Sequence, residues 1–292
     1  MRFNRSRRLD STVHKNTVPA TLLRSIHNAS DSAQCEREKA IRSIEIFKLP
    51  VACATYDSAL EHVKELAKRP EPTAVCPANT HILAEVRHDP EFARLLQKFN
   101  LVLPDGMPIV WTLNRFGAGL KDRVYGPYFM RHTLQRTPRP WRHFFFGDSE
   151  ACLTELRRVA AELQPEIEIA GAISPPFRPL TEEDEASFAD TINRAEPDFI
   201  WVALPGVRME RWIIDNQHRY KRGVFLAVGD AFSLLTGRRQ FAPPWMQRNG
   251  LTWLYRMSRE PSRLGPRYFR YNSLYVYYTV LDWLSGRSRA AR

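Results

Sequence analysis

The sequence predicts an α/β fold, in which a Rossmann-like, mostly parallel sheet carries helices on both faces and is followed by a basic, aromatic C-terminal helical appendage. Short apolar runs alternate with amphipathic stretches of about 12–16 residues, which is the pattern of βαβ units. Most of these apolar runs are nearly continuous, as expected for strands that are buried on both faces. After residue 250 the composition becomes rich in arginine and aromatic residues, and this change predicts the appendage.

Apolar and amphipathic segments alternate in a regular order. Seven apolar runs are predicted to be strands, the first of them as one or two short strands: 45–54, 73–78, 100–104, 141–147, 167–173, 198–204 and 223–229. Five amphipathic stretches are predicted to be helices: 58–69, 80–99, 149–164, 181–195 and 209–220. Proline ends the first helix at Pro70 and divides the second near Pro90, because proline lacks an amide donor and clashes with the preceding turn. The acidic residues 182–185 fall in the first turn of the fourth helix, where they favour the helix dipole.

The charge balance favours anionic partners. The 292 residues include 43 Lys and Arg against 32 Asp and Glu, a formal net charge of +11, which suits phosphates, nucleic acid or acidic lipid. No apolar run approaches the roughly 18–20 residues needed to span a bilayer, and the basic N-terminus lacks the apolar segment of a secretory signal. Four scattered cysteines without a C-x-x-C pair argue against a disulfide scaffold and a zinc ribbon, and they predict a cytosolic protein.

Three regions of the chain differ in composition. Residues 1–44 are predicted to be a basic, flexible extension, 45–250 the Rossmann-like core, and 251–292 the appendage. The last region interleaves eight arginines and two acidic residues with nine aromatic residues, which is typical of a membrane-surface or phosphate-binding element. An ordinary helical cap with solvated charges is the alternative. Nucleic-acid binding is not expected, because no helix-turn-helix, zinc-finger or RNP pattern is present.

Polar residues follow several predicted strands, at the edge where parallel sheets bind ligands. Asn79 follows the strand 73–78, and Asp105 with Gly106 follows the strand 100–104. A carboxylate placed like Asp105 can act as a general base, although Asp-Gly is also ordinary turn chemistry. The other candidates at strand ends are Gly147, Asp148, Ser149, Gly206, Arg208, Glu210 and Asp230.

Several nucleotide and metal motifs are missing from the sequence. Gly147 ends an aromatic strand before a helix, so its turn can present backbone N–H groups to a phosphate. Neither G-x-G-x-x-G nor G-x-x-x-x-G-K-[ST] is present, which argues against a dinucleotide-dependent dehydrogenase and a P-loop NTPase. No D-x-D follows a strand and no H-E-x-x-H occurs, so no metal site is predicted. His81 either faces the same edge as Asn79 or is an ordinary surface or packed histidine.

Eight segments occur in the same order as in a known family of enzymes. They are 78–92 (ANTHILAEVRHDPEF), 101–111 (LVLPDGMPIVW), 123–126 (RVYG), 144–148 (FFFGD), 171–185 (GAISPPFRPLTEEDE), 210–219 (ERWIIDNQHR), 228–232 (VGDAF) and 242–268 (APPWMQRNGLTWLYRMSREPSRLGPRY). On these segments the sequence resembles the WecG/TagA/CpsF glycosyltransferases, glycosyltransferase family 26, over roughly residues 45–272. The last segment is long and specific.

The resemblance implies an activity. Members of the family transfer a hexose derivative from a UDP-sugar to a polyprenyl-diphosphate-linked saccharide, with inversion and without a metal, in the synthesis of cell-envelope glycans or exopolysaccharide. The resemblance implies no cofactor, and it places the protein in the cytoplasm, peripherally on the anionic inner face of the plasma membrane. Relatives that self-associate suggest a homo-oligomer.

The resemblance also implies roles for individual residues. The family's catalytic base falls on Asp105, and its sugar-binding asparagine falls on Asn79. C-terminal arginines are expected to offset the charge of the departing diphosphate, because no metal motif is present to do so. The expected substrate-binding residues are Asn79, Gly106, Arg123, Gly147, Arg208, Glu210, Gly229, Arg256, Arg263 and Arg267.

The sequence departs from the family pattern at five positions. The common threonine, aspartate, glutamine, glutamate and arginine are replaced in this chain by Pro77, Tyr128, Met209, Thr252 and Pro266. Several of the groups lost are polar. A second hypothesis therefore stays open, namely a diverged, non-catalytic scaffold at the membrane surface of a polysaccharide assembly machine.

Overall fold

The computed structural model describes residues 41–204 and 208–284, and of Arg208 the backbone alone. The strands are β1 (Ser43–Ile46), β2 (Leu49–Ala52), β3 (Thr73–Ala78), β4 (Leu101–Pro104), β5 (Arg142–Gly147), β6 (Glu168–Ile173), β7 (Phe199–Ala203) and β8 (Val224–Ala227). The helices are α1 (Tyr56–Ala67), α2 (Thr80–His88), α3 (Pro90–Leu96), α4 (Met107–Arg115), α5 (Gly126–Arg136), α6 (Glu150–Leu163), α7 (Glu182–Ala195), α8 (Arg208–Asn216), α9 (Ala231–Leu235), α10 (Pro244–Arg248), α11 (Thr252–Arg259) and α12 (Pro261–Leu284).

Six of the strands form one parallel sheet in the order β4-β3-β8-β7-β5-β6. Successive strand residues belong to two different apolar clusters, since Phe144 and Phe146 pack in one and Phe145 in the other. Side chains alternate across a strand, so the two clusters lie on opposite faces of the sheet. Helices cover both faces, and the predicted α/β fold is confirmed. The segment 45–54 forms a separate antiparallel hairpin, β1–β2, beside the sheet.

Local capping explains where the predicted helices begin. The helix predicted over 58–69 starts two residues earlier, because Thr55 forms a capping box with Ser58. The stretch 80–99 divides at Pro90 as predicted, and the Asp89 carboxylate caps the second piece by accepting from the Glu91 amide.

Two helices between 105 and 140 have no counterpart among the predicted elements. Helices α4 and α5 both carry proline in their first turn, Pro108 and Pro127 respectively. Proline is favoured there because the first-turn amides have no intrahelical acceptor in any case. This segment matters for the site, since it begins at Asp105, which follows β4 directly.

The C-terminal segment is helical, but it is not separate from the core. Tyr275 of α12 is 3% exposed, and its hydroxyl lies 2.8 Å from Thr112 Oγ1. Its ring also packs edge-on against Phe47. Leu264 on the same helix is fully buried. The structure therefore does not confirm an appendage that begins at 251, because α12 closes one side of the main apolar cluster.

Two predictions concern residues that the structure covers only in part. The N-terminal extension predicted over 1–44 lies, up to residue 40, outside the described residues. Within the described ranges, none of the helices combines the length and the apolar character required to traverse a bilayer.

Candidate active site

A cleft of about 920 Å³ opens at the carboxyl ends of the central strands. Residues from the ends of β3, β7 and β8 form its floor, and residues of α11 and α12 contribute arginines to its wall. This is the edge at which parallel sheets bind ligands. Six of the expected site residues line the cleft: Asn79, Glu210, Gly229, Arg256, Arg263 and Arg267.

Asn79 is held at the end of β3 by its own capping bonds. Its side-chain oxygen accepts hydrogen bonds from the amides of His81 and Ile82, at 3.0 and 3.2 Å. These bonds orient the side chain as the N-cap of α2. Among the described residues its Nδ2 has no hydrogen-bond partner, so the amide can donate to a ligand in the cleft.

Asp105 follows β4 directly and is not among the residues that line the cleft, but Asp230 and Arg256, which do line it, lie within electrostatic reach of its carboxyl. Its amide donates to the Ala78 carbonyl at 2.9 Å, which ties it to the end of β3. A Cβ placed on Gly126 would lie 3.8 Å from Oδ2 of Asp105, so the carboxyl packs closely against the start of α5. The pKa of Asp105 is raised to about 7: burial raises it most, Asp230 also raises it, and Arg123, the Gly126 amide and Arg256 lower it in part. A carboxyl with this pKa is well matched to general-base work near neutral pH.

Arg123 lies within electrostatic reach of Asp105 and does not line the cleft. The guanidinium is 7% exposed and donates through Nη2 to Thr252 Oγ1 at 2.8 Å. It also lies 4.5 Å over the ring of Tyr125. Its charge lowers the pKa of Asp105 against the effect of burial. Arg123, predicted as a substrate-binding residue, is not among the residues that line the cleft.

Three arginines of the cleft belong to a network with two carboxylates. Arg256 Nη2 lies 2.7 Å from Asp230, and Arg239 bridges Asp230 at 3.8 Å and Glu260 at 3.3 Å. Arg263 pairs with the same Glu260. These pairs hold the guanidinium groups over the cleft. Carboxylates so placed restrict the orientations of the arginines.

Arg267 is the least satisfied of the arginines in the cleft. Its Nε atom is buried without a hydrogen-bond partner, and its guanidinium lies 5.6 Å from the ring of Tyr268. A buried donor without a partner costs free energy, which an incoming anion would recover. Across the described residues there is no group of three or more His, Cys, Asp or Glu that could hold a metal ion.

Glu210 is a buried acid in the first turn of α8. It is 2% exposed, and its Oε2 atom has no hydrogen-bond partner. Burial raises its pKa to about 7. A carboxyl of this kind carries a proton over part of the neutral range and can then donate to a hydroxyl or amide of a bound sugar.

The family model of the Glycosyl transferase WecG/TagA/CpsF family matches residues 44–289. The chain belongs to this family. It is 29% identical over 188 residues to the N-acetylglucosaminyldiphosphoundecaprenol N-acetyl-beta-D-mannosaminyltransferase of Bacillus spizizenii, covering 64% of this chain and 71% of the relative. The protein of the same name from Bacillus subtilis is 27% identical over 186 residues, covering 63% and 71%. The chain is therefore a member of a glycosyltransferase family.

The departures from the WecG/TagA/CpsF pattern have structural partners of their own. The Tyr128 hydroxyl accepts from Gln247 at 2.9 Å, and its ring stacks on Phe241. Thr252 accepts the bond from Arg123. Two of the departures, Tyr128 and Thr252, are therefore held by contacts within this chain.

Two expected site residues of this family member, Gly106 and Gly147, are not among the residues that line the cleft. Gly106 precedes α4 in extended backbone, and Gly147 has a φ of +125° with the Ala203 carbonyl oxygen so close that a Cβ would overlap it. The close approach of β7 is a sufficient reason for a glycine at 147, so a bound ligand is not needed to explain it. Neither glycine lines the cleft, whereas the neighbouring Asp148 does. The side chain of Arg208 and the whole of 205–207 lie outside the described residues.

Two further parts of the cleft wall are the loop 175–180, which was not among the predicted site residues, and His81, for which one of the two alternatives was that it faces the same edge as Asn79. The loop 175–180 projects Phe177, which is 86% exposed, and its prolines restrict the backbone. On the other side, His81 lines the cleft with its ring 4.0 Å from that of Tyr271. Burial, and to a smaller extent the charges of Arg267 and Arg270, lower the pKa of His81 to about 4, so the imidazole is neutral at pH 7. The proline cluster was a signal for the loop, but no local pattern points to the contact with Tyr271.

Proposed function

We propose that this chain is an inverting, metal-independent transferase that moves a hexose derivative from a UDP-sugar to a polyprenyl-diphosphate-linked saccharide. One observation carries the proposal: Asp105, a carboxyl with a pKa of about 7 beside an arginine-rich cleft, lies within electrostatic reach of Arg256, which lines that cleft. That arrangement supplies one base for an attacking hydroxyl and several cations for a departing diphosphate. Family membership supports the same reaction class.

A single displacement accounts for the chemistry. Asp105 removes the proton of an acceptor hydroxyl, and the hydroxyl oxygen forms a bond to the anomeric carbon of the donor sugar. The bond between that carbon and the diphosphate oxygen breaks, and its electron pair leaves with UDP. The new bond forms on the face opposite the one that breaks, so the anomeric configuration inverts. Asn79 and Glu210 offer hydrogen bonds to the sugar from the floor of the cleft.

The arginines are proposed to take the place of a metal ion at the leaving group. Arg256, Arg263 and Arg267 line the cleft together, and the planar guanidinium binds phosphate oxygens in pairs. Hydrogen-bond donors already held in position would stabilise the negative charge that develops on the departing diphosphate. Excess EDTA should therefore leave transfer unchanged.

The proposed acceptor class rests on the names of the two relatives, and the proposed membrane contact rests on one face of α12. The two Bacillus relatives carry names that specify a lipid-diphosphate-linked acceptor, and we propose the same acceptor class for this chain. Such a substrate requires contact with a membrane surface. On α12, the face opposite the buried Tyr275 is exposed and apolar, and its residues recur at helical spacing. They are Phe269, Val276, Tyr277, Val280, Leu281, Trp283 and Leu284, between 38% and 80% exposed.

Replacing Phe269 and Trp283 together by serine should weaken binding to anionic vesicles by about 10- to 100-fold, because each aromatic ring buries apolar area in the bilayer interface. Vesicle cosedimentation measures this loss. Point changes on the exposed face are preferable to deletion beyond 250, since deletion removes Leu264 and Tyr275 from the core. Phe177→Ser, which removes an exposed ring of the cleft wall, is the matched control. Equal vesicle binding by the double variant and the wild type would contradict the proposed surface.

The function itself is tested by acceptor-dependent release of UDP. The purified full chain is mixed with anionic vesicles that carry a polyprenyl-diphosphate disaccharide. The donors are UDP-glucose, UDP-N-acetylmannosamine, its uronic acid and UDP-N-acetylglucosamine. Release from one donor, strictly dependent on the acceptor, is the expected result. If UDP binds but no donor and acceptor pair reacts, the non-catalytic scaffold becomes the better account.

A further inference from the structure

A second pocket adjoins the cleft beneath α11. It has a volume of about 320 Å³, and its polar wall is formed by Arg238, Arg239, Arg256, Arg259 and Glu260. Arg239 and Arg256 also line the main cleft, so the two cavities share a wall. The second pocket contains none of the strand-end residues that form the floor of the cleft.

The lining of this pocket carries excess positive charge. It holds four guanidinium groups and one carboxylate, and two of the four, Arg239 and Arg256, also pair with Asp230 of the main cleft. The carboxylate, Glu260, pairs with Arg239 and Arg263. The excess charge therefore comes from Arg238 and Arg259. Across the described ranges, Arg259 forms no ion pair. Its Nη2 donates to the neutral Gln240 side chain at 2.8 Å, and its guanidinium lies 5.5 Å from the Tyr255 ring. A preoriented arginine without an anionic partner favours a bound anion such as a phosphate group.

The two sides of α11 suggest which phosphate compound binds there. Tyr255, Arg256 and Arg259 lie on one side of the helix and line the pocket. Trp253 and Leu254 lie on the other side, 37% and 38% exposed, and the Trp253 ring packs edge-on against Tyr268 at the start of α12. A ligand with an anionic head and an apolar tail could contact the arginines on one side of α11 and the apolar residues on the other. A nucleotide could contact only the side with the arginines.

We propose that this second pocket binds the diphosphate of the prenyl-linked acceptor, next to the donor's diphosphate in the main cleft. Arg239 and Arg256 then lie between the two diphosphates and contact both. The apolar chain of the acceptor leaves past Trp253 towards the exposed face of α12. The acceptor's identity rests on the proposed function, but binding of a prenyl diphosphate can be measured without any transfer.

The test is calorimetric titration of the full chain, saturated with UDP, with geranyl diphosphate. Arg259→Gln should weaken geranyl diphosphate binding by about 10- to 100-fold, the effect expected for losing a charge-assisted contact, while UDP affinity stays unchanged. Arg238→Gln, at an exposed position of the same wall, should show a smaller loss in the same direction. Arg94→Gln, an exposed arginine that lines neither cavity, is the matched control. Thermal unfolding checks that each variant is folded.

Different outcomes separate this proposal from the proposed function. If geranyl diphosphate competes with UDP, or if Arg259→Gln weakens UDP binding, the pocket belongs to the donor site and the inference is wrong. Unchanged geranyl diphosphate affinity in Arg259→Gln would also overturn it. Inorganic diphosphate should bind the same pocket more weakly, because it lacks the apolar chain. Where transfer is active, Arg259→Gln should raise the KM of the acceptor and leave the KM of the donor unchanged.

Discussion

Asp105→Asn is expected to lower kcat by about 10²–10⁴-fold, which is the usual contribution of a positioned general base. The amide keeps the shape of the carboxyl but cannot accept the proton of the attacking hydroxyl. UDP binding should persist, since the arginines of the cleft remain. The measurement is steady-state UDP release with a lipid-linked acceptor, together with calorimetric binding of UDP. Full turnover by Asp105→Asn would show that another group is the base.

The pH dependence of kcat tests the same assignment. The base form of Asp105 is present above its pKa of about 7, so wild-type kcat should rise as pH increases through 7. Glu210 also has a raised pKa of about 7, and Glu210→Gln separates the two groups. Loss of the pH step in Asp105→Asn, with its retention in Glu210→Gln, assigns the step to Asp105. The reverse pattern would assign it to Glu210.

Stability should change in the opposite direction to activity. Burial raises the pKa of Asp105, so ionising it costs the folded state free energy that grows between the unfolded and folded pKa values and is complete above about pH 7. Asp105→Asn should therefore unfold at a higher temperature than the wild type at pH 8, with little difference near pH 4. This comparison also shows that any loss of activity does not come from unfolding.

Arg256→Gln is expected to lower kcat/KM by about 10²–10³-fold, because Arg256 is proposed to meet the charge that develops on the departing diphosphate. Its guanidinium lines both cavities and pairs with Asp230 at 2.7 Å. Arg256→Lys keeps the charge but loses the paired donors, so it should recover only part of the activity. Donor saturation curves and UDP titrations measure both effects.

The contrast with Arg259→Gln makes this prediction specific. Loss of Arg256 should reduce turnover and weaken both UDP and acceptor binding, whereas loss of Arg259 should affect the acceptor alone. Thermal unfolding is needed as a control, because Arg256→Gln leaves Asp230 with only the longer contact to Arg239. Unchanged kcat/KM in a folded Arg256→Gln variant would contradict the role of the arginine network.

The sheet could be predicted because its signal is local. Near-continuous apolar runs such as Phe199–Ala203 are typical of a parallel strand buried on both faces. The polar residues at the ends of such strands meet at one edge, which is why Asn79 and Asp105 were found from the sequence. Helices α4 and α5 were missed even though Pro108 and Pro127 are first-turn signals.

The parts of the site that come from α11 and α12 depend on contacts between distant parts of the chain. Thr252 and Arg123 are 129 positions apart, and Tyr275 and Thr112 are 163 apart. No periodicity or spacing rule predicts such pairs, since they depend on how α11 and α12 dock on the sheet. The composition of 251–292 indicated phosphate and membrane contact, but it could not show that α12 buries one face in the core. Likewise, the pKa of Asp105 depends on burial beside Gly126, which composition does not show.

The central claim is that one base and one displacement carry out the transfer, and the anomeric configuration of the product tests it most directly. The product made from an α-linked UDP-sugar with the lipid-diphosphate acceptor is isolated, and the new glycosidic linkage is examined by NMR. The account predicts a β-linked sugar, inverted relative to the donor. An α-linked product would require two displacements or a different mechanism, and it would contradict the role of Asp105 as the base of a single displacement.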